Sequence, residues 1–208
     1  MTKTLERREK QRRLLVDAAE QAIASKGLSG LRTRELAGEI GIANGAVYNL
    51  VPDIDALILT VGSRTLARLD AALTEAENAG APQPVERLVR IALAYCDFAA
   101  ANFELWRALF EHRMAPGKPL PDWAITDQMS LFRHIHGPLA ELFPNCASEQ
   151  LGLMARSLFS AVHGMVSLGL EQKLIAIPLD ALRAEIATIV RATIEGLVGR
   201  GAHASTIT

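Results

Sequence analysis

The sequence predicts an all-α protein. Apolar side chains recur at intervals of three and four residues along most of the 208 residues, as they do on one face of a helix. No segment alternates polar and apolar residues in the way that a half-buried strand does. Half of the residues are hydrophobic, so the chain can bury a sizeable core. We therefore expect a small three-helix head at the N-terminus, followed by a larger helical body.

The first helix is predicted over roughly residues 5–26. Gly27 follows it, at a place where a residue with positive φ can end the helix at the least cost. The inner face of this helix is apolar and consists of Leu15, Ala18, Ala19, Ala22 and Ile23.

Two short helices joined by a tight turn are predicted next, from Thr33 to about Val51. Thr33 can cap the first of them, and Gly41 ends it. The apolar positions are Leu36, Ala37 and Ile40 in the first helix, Ile42 in the turn, and Ala46, Val47, Leu50 and Val51 in the second. This pattern is a helix-turn-helix, whose second helix normally enters the DNA major groove. The alternative is an ordinary helical hairpin, because many helix pairs share this spacing.

Asp53 is predicted to cap a long helix that reaches about Glu77. The boundary between the head (residues 1–52) and the body (residues 53–208) is expected here. Breaks at residues 78–82 and 115–121 separate the helices of the body. Those helices are expected at about residues 84–101, 103–113, 122–143, 148–173 and 178–199, with a distortion at Gly137-Pro138.

Charge is divided unevenly along the chain. Residues 1–34 hold nine basic and four acidic side chains, whereas the remaining residues hold 13 basic and 19 acidic ones. A basic head on an acidic body is the electrostatic pattern of a protein that contacts nucleic acid at one end. This placement of charge favours the helix-turn-helix over the plain hairpin.

Composition argues against several other classes of protein. Cys96 and Cys146 match no zinc or thioredoxin spacing and the N-terminus is charged, so a reduced, cytoplasmic setting without a signal peptide is expected. The longest uncharged run, residues 157–170, is too short to span a membrane. His134 and His136 point to different faces of one helix, so no metal and no other cofactor is expected. No Ser/His/Asp spacing, Gly-rich loop or close carboxylate pair supports an enzyme.

The basic first helix, the helix-turn-helix ending in Gly45-Ala-Val-Tyr48 and the long helix after it resemble the TetR-type (tetracycline-repressor-like) transcriptional regulators. The body is similar to one subgroup of them, through Leu105-Trp-Arg-Ala-Leu-Phe110 and Ala161-Val-His-Gly-Met-Val166. The resemblance implies an all-helical homodimer, in which two heads bind a double-stranded DNA operator and the bodies bind a small ligand.

The residues expected to contact DNA are Arg32, Thr33, Arg34, Ala43, Asn44, Gly45, Ala46, Tyr48 and Asn49. The hydroxyls of Thr33 and Tyr48 suit phosphates, and the two arginines add positive charge. Asn49 can read a base edge, whereas Asn44 either reads a base or caps its helix. Members of the family usually have a phosphate-contacting lysine near Ile54, so its replacement by an acidic stretch predicts fewer phosphate contacts there.

The last two helices are expected to form a four-helix bundle across a two-fold axis. Their faces combine a small-residue stripe with an apolar one, and the expected dimer residues are Ser157, Ser160, Ala161, Gly164, Ile186, Val190, Ile194 and Leu197. The alternative is that both faces pack only within one subunit.

Large apolar side chains in the body predict an adaptable pocket for a small apolar effector, with a plain core as the alternative. The candidate ligand-binding residues are Phe103, Trp106, Arg107, Phe110, His112, Met129, Phe132 and His163. Three of them carry polar groups that could orient a ligand: Arg107, His112 and His163. Residues 103–113 are expected to transmit ligand binding to the head.

Together these features favour a ligand-responsive transcriptional regulator, a repressor that binds a palindromic operator as a dimer. The alternative is a helical small-molecule-binding protein or enzyme that carries a degenerate DNA-binding head. Binding of the basic first helix to a membrane surface is disfavoured, because that helix has an apolar inner face suited to its own domain.

Overall fold

The computed structural model describes residues 3–80, 83–172 and 177–204. Within these residues the chain forms α-helices and two short 3₁₀ segments and contains no strand, which confirms the all-α prediction. The 3₁₀ segments are Leu28–Gly30 and Asn44–Asn49. The helices are α1 Lys3–Lys26, α2 Thr33–Glu39, α3 Ile54–Asn78, α4 Pro84–Ala101, α5 Phe103–Glu111, α6 Asp122–Ser130, α7 Arg133–Leu142, α8 Ser148–Leu170 and α9 Leu179–Ala204.

The chain divides into two compact units. Unit 1 comprises Met1–Arg68 and Asn102–Asp127, and unit 2 comprises Leu69–Ala101 and Gln128–Thr208. The chain passes from one unit to the other three times, inside α3, at the end of α4 and inside α6, so no long linker marks the division. The predicted head, residues 1–52, lies wholly within unit 1, and its boundary as a functional domain stays a prediction.

The core of unit 1 is built mainly by α1, α2 and the first half of α3. Leu15, Ala18, Ala19 and Ile23 of the predicted inner face of α1 are buried, and Ala22 packs partly buried against them. Helix α5 adds Leu105 and Ala108 to the same core. The other buried members are Val16, Leu36, Ala37, Val47, Leu50, Val51, Leu57 and Val61.

Gly27 ends α1 as predicted, with φ 67°. A Cβ atom at this position would lie 2.6 Å from Oε2 of Glu104 and 2.9 Å from an Arg107 nitrogen. Gly41, which ends α2, has a similar φ of 70°, but a Cβ atom there would meet nothing within 4 Å. The two glycines therefore share a positive φ, but they differ in their surroundings, and Gly27 combines its φ with a ψ of −171°.

Gly27→Ala should therefore lower the free energy of unfolding by about 2–3 kcal/mol, because a φ of 67° with a ψ of −171° is a conformation essentially confined to glycine, and the ends of the Glu104 and Arg107 side chains must also shift. Gly41→Ala is the matched control and should cost only about 1–2 kcal/mol, which is the strain alone. Chemical denaturation of both variants measures the difference. Equal losses would contradict the larger backbone strain assigned to position 27.

Unit 2 consists mainly of α4, α7, α8 and α9 around a second apolar core. Helices α8 and α9 approach closely at Gly169, where a Cβ atom would lie 2.8 Å from a methyl carbon of Leu182. Arg191 of α9 holds Glu86 of α4 through two hydrogen bonds of 2.8 and 2.9 Å. The core residues of α9 are Leu182, Ile186, Val190 and Ile194.

One predicted helix is divided in the structure. Residues 122–143 form α6 and α7, which are separated at Leu131-Phe132, and Pro138 lies inside α7. The prediction of one continuous helix with a distortion at Gly137-Pro138 was therefore wrong in its continuity, and the break lies earlier, at Leu131-Phe132. Tight i to i+3 backbone hydrogen bonds, such as Phe132 to Met129 at 3.1 Å, turn the chain instead.

Candidate nucleic-acid interface and ligand-binding cluster

The segment after the turn is a 3₁₀ helix, Asn44–Asn49, rather than the predicted α-helix. Its backbone bonds include the i to i+3 pairs Ala46 to Ala43 at 2.8 Å and Leu50 to Val47 at 2.9 Å. The sequence explains this difference, because glycine, valine, tyrosine and asparagine are all weak α-helix formers. We call residues 43–49 the recognition segment.

The recognition segment is anchored on one side and exposed on the other. Val47 is fully buried, and Leu50 and Val51 just after the segment are buried with it in the core of unit 1. Ile42 packs against the same core, as the turn prediction required. The exposed side presents Ala43, Asn44, Gly45, Tyr48 and Asn49, and the Tyr48 side chain is 54% exposed. Polar groups thus stand on a rigid support and face outward.

The two predicted capping roles in this region are wrong. The N-cap of α2 is Arg32 rather than Thr33, and it makes no side-chain capping hydrogen bond. The N-cap of the recognition segment is Ala43, so Asn44 is its first residue and not its cap. Arg32 and Arg34 are exposed, whereas Thr33 and Ala46 are partly buried.

The first turn of α3 carries a cluster that sequence reasoning did not find. Asp53 caps the helix as predicted, accepting a 2.8 Å hydrogen bond from the Ala56 backbone N–H. Lys118, from the loop after α5, forms ion pairs with Asp53 and, at 3.3 Å, with Asp55. The Lys118 hydrogen bond, helped by the Ala56 N–H, lowers the pKa of Asp53 below its ordinary value. One of the two negative charges around Ile54 is thus balanced from a segment remote in sequence.

Asp53→Ala should cost about 1 kcal/mol of unfolding free energy at neutral pH through the lost cap, and Asp53→Asn, which can still cap, much less. Because the fold lowers the pKa of Asp53, its stabilising effect is present above the ordinary value of 3.8 and is lost as the pH falls. Urea unfolding at neutral and acid pH measures both effects. A constant difference between wild type and Asp53→Ala across that range would contradict the assignment.

Five of the predicted ligand-binding residues lie in unit 1: Phe103, Trp106, Arg107, Phe110 and His112. Trp106 is only 1% exposed, and its ring centroid lies 6.2 Å from that of Phe103 and 5.5 Å from that of Phe110. Arg107 is paired with Glu104 at 2.7 Å on its own helix. These contacts favour the core alternative for Trp106 and a structural role for Arg107.

His112 faces the Asp53–Lys118 cluster. Its Nε2 atom lies 3.5 Å from a carboxylate oxygen of Asp55. Burial lowers the pKa of His112, which favours the neutral ring at neutral pH. His112, which was predicted to orient a ligand, therefore faces the start of α3 within unit 1.

Unit 2 holds a separate aromatic cluster, made of Tyr95, Phe132, Phe159 and His163. The Tyr95 hydroxyl oxygen lies 2.7 Å from Nδ1 of His163, and the Phe159 ring stacks on the imidazole at 5.4 Å. Phe132 meets Phe159 edge to face at 5.5 Å. Burial lowers the pKa of His163, so this ring is neutral at neutral pH. Tyr95 and Phe159 were not among the predicted ligand-binding residues, although Phe159 lies one helical turn before His163 on α8.

Two further residues named in the sequence analysis can be located. Met129, predicted to bind ligand, is 49% exposed. His134 is buried between two carboxylates, with Nδ1 2.7 Å from Glu77 and Nε2 3.0 Å from Asp70. Among the described residues, no group of three or more histidine, cysteine and acidic side chains is placed to hold a metal ion.

The structure divides the predicted dimer residues into two groups. Ile186, Val190 and Ile194 are fully buried within the single chain, so their assignment to an interface is corrected to the core of unit 2. Ser157, Ser160 and Ala161 are exposed, and a Cβ atom at Gly164 would meet nothing within 4 Å. Leu197 is partly buried. The prediction chose the buried stripe of α9 because periodicity alone does not say what covers an apolar face.

The C-terminal part of the chain matches a known family. Residues 88–193, about half of the chain, match the tetracyclin repressor-like C-terminal domain. The chain belongs to the TetR family of transcriptional regulators. Regulators of this family bind DNA and are not enzymes, which excludes the enzyme alternative. No functionally curated protein matches this TetR-family chain in sequence.

Solved structures share the fold of this TetR-family chain at low sequence identity. A protein of unknown function from Rhodococcus sp. RHA1 is 24% identical, with TM-score 0.71 over 88% of this chain and 94% of that one. A TetR-like regulator from the same organism is 20% identical, with TM-score 0.61 over 91% and 96%. RolR in complex with resorcinol is 17% identical, with TM-score 0.66 over 94% and 96%. These likenesses concern the fold alone.

Helix α8 of the TetR-family chain is long and apolar enough to cross a membrane, contrary to the expectation from its uncharged run. This finding rests on length and composition only and is weak evidence, because the core helix of a soluble protein passes the same test. Buried residues of α8, such as Leu158, Val162 and Val166, support that second explanation.

Proposed function

We propose that this TetR-family regulator is a cytoplasmic repressor that binds a palindromic DNA operator as a homodimer and responds to a small, largely apolar effector. The observation that carries the proposal is the recognition segment, whose buried Val47 fixes it on unit 1 while its polar side chains face outward. One head of this size reads only a few base pairs, so two heads on a two-fold axis are needed for a specific site.

Each of the predicted DNA-contacting residues of the head has a proposed role. Tyr48 and Thr33 bind phosphate oxygens through their hydroxyl groups, and Arg32 and Arg34 add charge beside the DNA backbone. Asn49 and Asn44 are the polar groups able to pair with adenine, since an asparagine amide can bond to its N6 and N7 together. Ala43 and Ala46 suit thymine methyl groups, and Gly45 allows close approach of the backbone.

Selection of bound sequences from random duplexes tests the operator proposal. Tyr48→Phe should weaken binding to all duplexes, because a phosphate contact carries no sequence information. Asn49→Ala should change the preferred base at one position by about 1–3 kcal/mol. An equal loss on every sequence for Asn49→Ala would make Asn49 another backbone contact. Failure of the wild type to select any duplex would favour a small-molecule-binding protein with a degenerate head.

The proposed dimer interface lies on the exposed faces of α8 and α9. On α8, Leu153, Ser157, Ala161, Gly164 and Leu168 share one side of the helix, and both leucines are more than half exposed. On α9, Ile189, Thr193 and Gly196 share an exposed side. Small residues between larger apolar ones permit the close approach of a second copy, and the four helices would form a bundle.

The proposed effector site is the aromatic cluster of unit 2. A neutral His163 and the Tyr95 hydroxyl provide a hydrogen-bonding pair among aromatic rings, which suits a small uncharged molecule with a polar edge. RolR, which has the same fold, was solved with resorcinol bound. Thermal unfolding with a panel of small phenols, resorcinol among them, is the first test. A molecule that binds there must also change the affinity for DNA, and DNA must change the affinity for that molecule by the same factor, because the two share one coupling free energy.

A further inference from the structure

The N-terminal part of α1 extends beyond the core of unit 1. The helix begins at Lys3, but its first buried residue is Leu15. Residues 3–14 are exposed apart from the partly buried Gln11. At 1.5 Å per residue, these residues form about 18 Å of helix that the core does not require. We call residues 3–14 the basic extension.

The basic extension carries much of the positive charge of the head. It holds six basic side chains, Lys3, Arg7, Arg8, Lys10, Arg12 and Arg13, and two acidic ones, Glu6 and Glu9. Lys3, Arg7 and Lys10 share one side of the helix at i, i+4 and i+7 spacing. In the part of the chain that the structure describes, the ion pair recorded on this extension joins Arg12 to Glu9 at 3.9 Å, and both side chains are about half exposed. The cations on the Lys3 side thus face solvent.

The rest of the expected interface is poor in positive charge. The recognition segment contains no charged residue, and the start of α3 carries Asp53 and Asp55, of whose two negative charges Lys118 balances one. Among the residues expected to contact DNA, the basic ones are Arg32 and Arg34. Since phosphate neutralisation supplies most of the salt-dependent affinity of DNA-binding proteins, this affinity needs a source outside the recognition segment.

We propose that the basic extension binds DNA phosphates beside the recognition segment and supplies most of the salt-dependent affinity. This inference rests on the proposed DNA-binding function. Duplex DNA presents one negative charge per roughly 1.7 Å of its axis, so a helix of this length passes several phosphates. A membrane surface fits less well, because an interfacial helix needs a continuous apolar face, and the large apolar residues of the extension, Leu5 and Leu14, are nine positions apart.

The test uses the full chain and a mixed-sequence duplex over a salt titration. The combined variant Lys3→Gln, Arg7→Gln and Lys10→Gln should reduce the slope of log affinity against log salt by about 2–3, since each phosphate contact contributes about 0.9. Base preference should stay the same, because phosphate contacts do not read sequence. Glutamine is a good helix former, so α1 should persist, and circular dichroism checks this.

The matched control is the combined variant Arg133→Gln, Arg156→Gln and Arg183→Gln, which changes the net charge equally at exposed residues of unit 2. This control should keep the wild-type slope of log affinity against log salt, because none of the proposed phosphate contacts lies in unit 2. A wild-type slope in the extension variant, or an equal loss in the control, overturns the inference while the proposed function stands. Loss of binding to phosphatidylserine vesicles with unchanged DNA binding would also overturn it, in favour of a membrane. If the wild type binds no duplex even at low salt, the proposed function and the inference both fail.

Discussion

Ala161→Arg should convert the proposed dimer into folded monomers and weaken operator binding by about a hundredfold or more, because two linked heads bind far more tightly than one. Ala161 is exposed in the middle of the proposed α8 face, next to the open position of Gly164. A bulky cation there would keep two copies apart without disturbing the core of unit 2. Light scattering gives the mass, and circular dichroism shows whether the monomer is folded.

Two further arginine variants make this experiment selective. Thr188→Arg, exposed on α9 away from the proposed face, should leave the dimer intact. Ile194→Arg should instead unfold the subunit, because Ile194 is fully buried and a charge there has no partner. A dimer of unchanged mass for Ala161→Arg would refute the proposed interface.

Trp106→Ala should lower the free energy of unfolding by about 3–5 kcal/mol, as expected for an indole lost from a packed core. The side chain is 1% exposed and contacts two other aromatic rings of α5. Phe110→Ala is the control on the same helix and should cost distinctly less, since Phe110 is 47% exposed. Urea denaturation measures both losses. If Trp106→Ala loses little unfolding free energy but no longer responds to the effector, Trp106 belongs to the ligand-binding site and not to the core.

The features that the sequence predicted well depend on local chemistry. The apolar face of α1, the turn at Gly41 and the Asp53 cap each follow from residues within a few positions of one another. The 3₁₀ form of residues 44–49 was harder to predict, because a six-residue segment with weak helix propensity takes its conformation from the core that buries Val47.

The features that the sequence did not predict depend on contacts distant along the chain. Nothing near Lys118 indicates that it balances Asp53, 65 residues away. The apolar stripe of α9 has the periodicity of an interface and of a core alike, and only α4 and α8 decide that Ile194 belongs to the core. The Tyr95–His163 bond likewise joins residues 68 positions apart.

The composition of the unit 1 core has a consequence for protein engineering. Leu57 and Val61 of α3 and Leu105 and Ala108 of α5 complete the apolar core that α1 and α2 begin. A fragment that stops at residue 52 would expose the surface these side chains cover, and grafting it onto a foreign body would not restore them. The head therefore cannot be exchanged as an independent domain. A chimera that is to keep its DNA specificity should carry residues 102–127 together with residues 1–68.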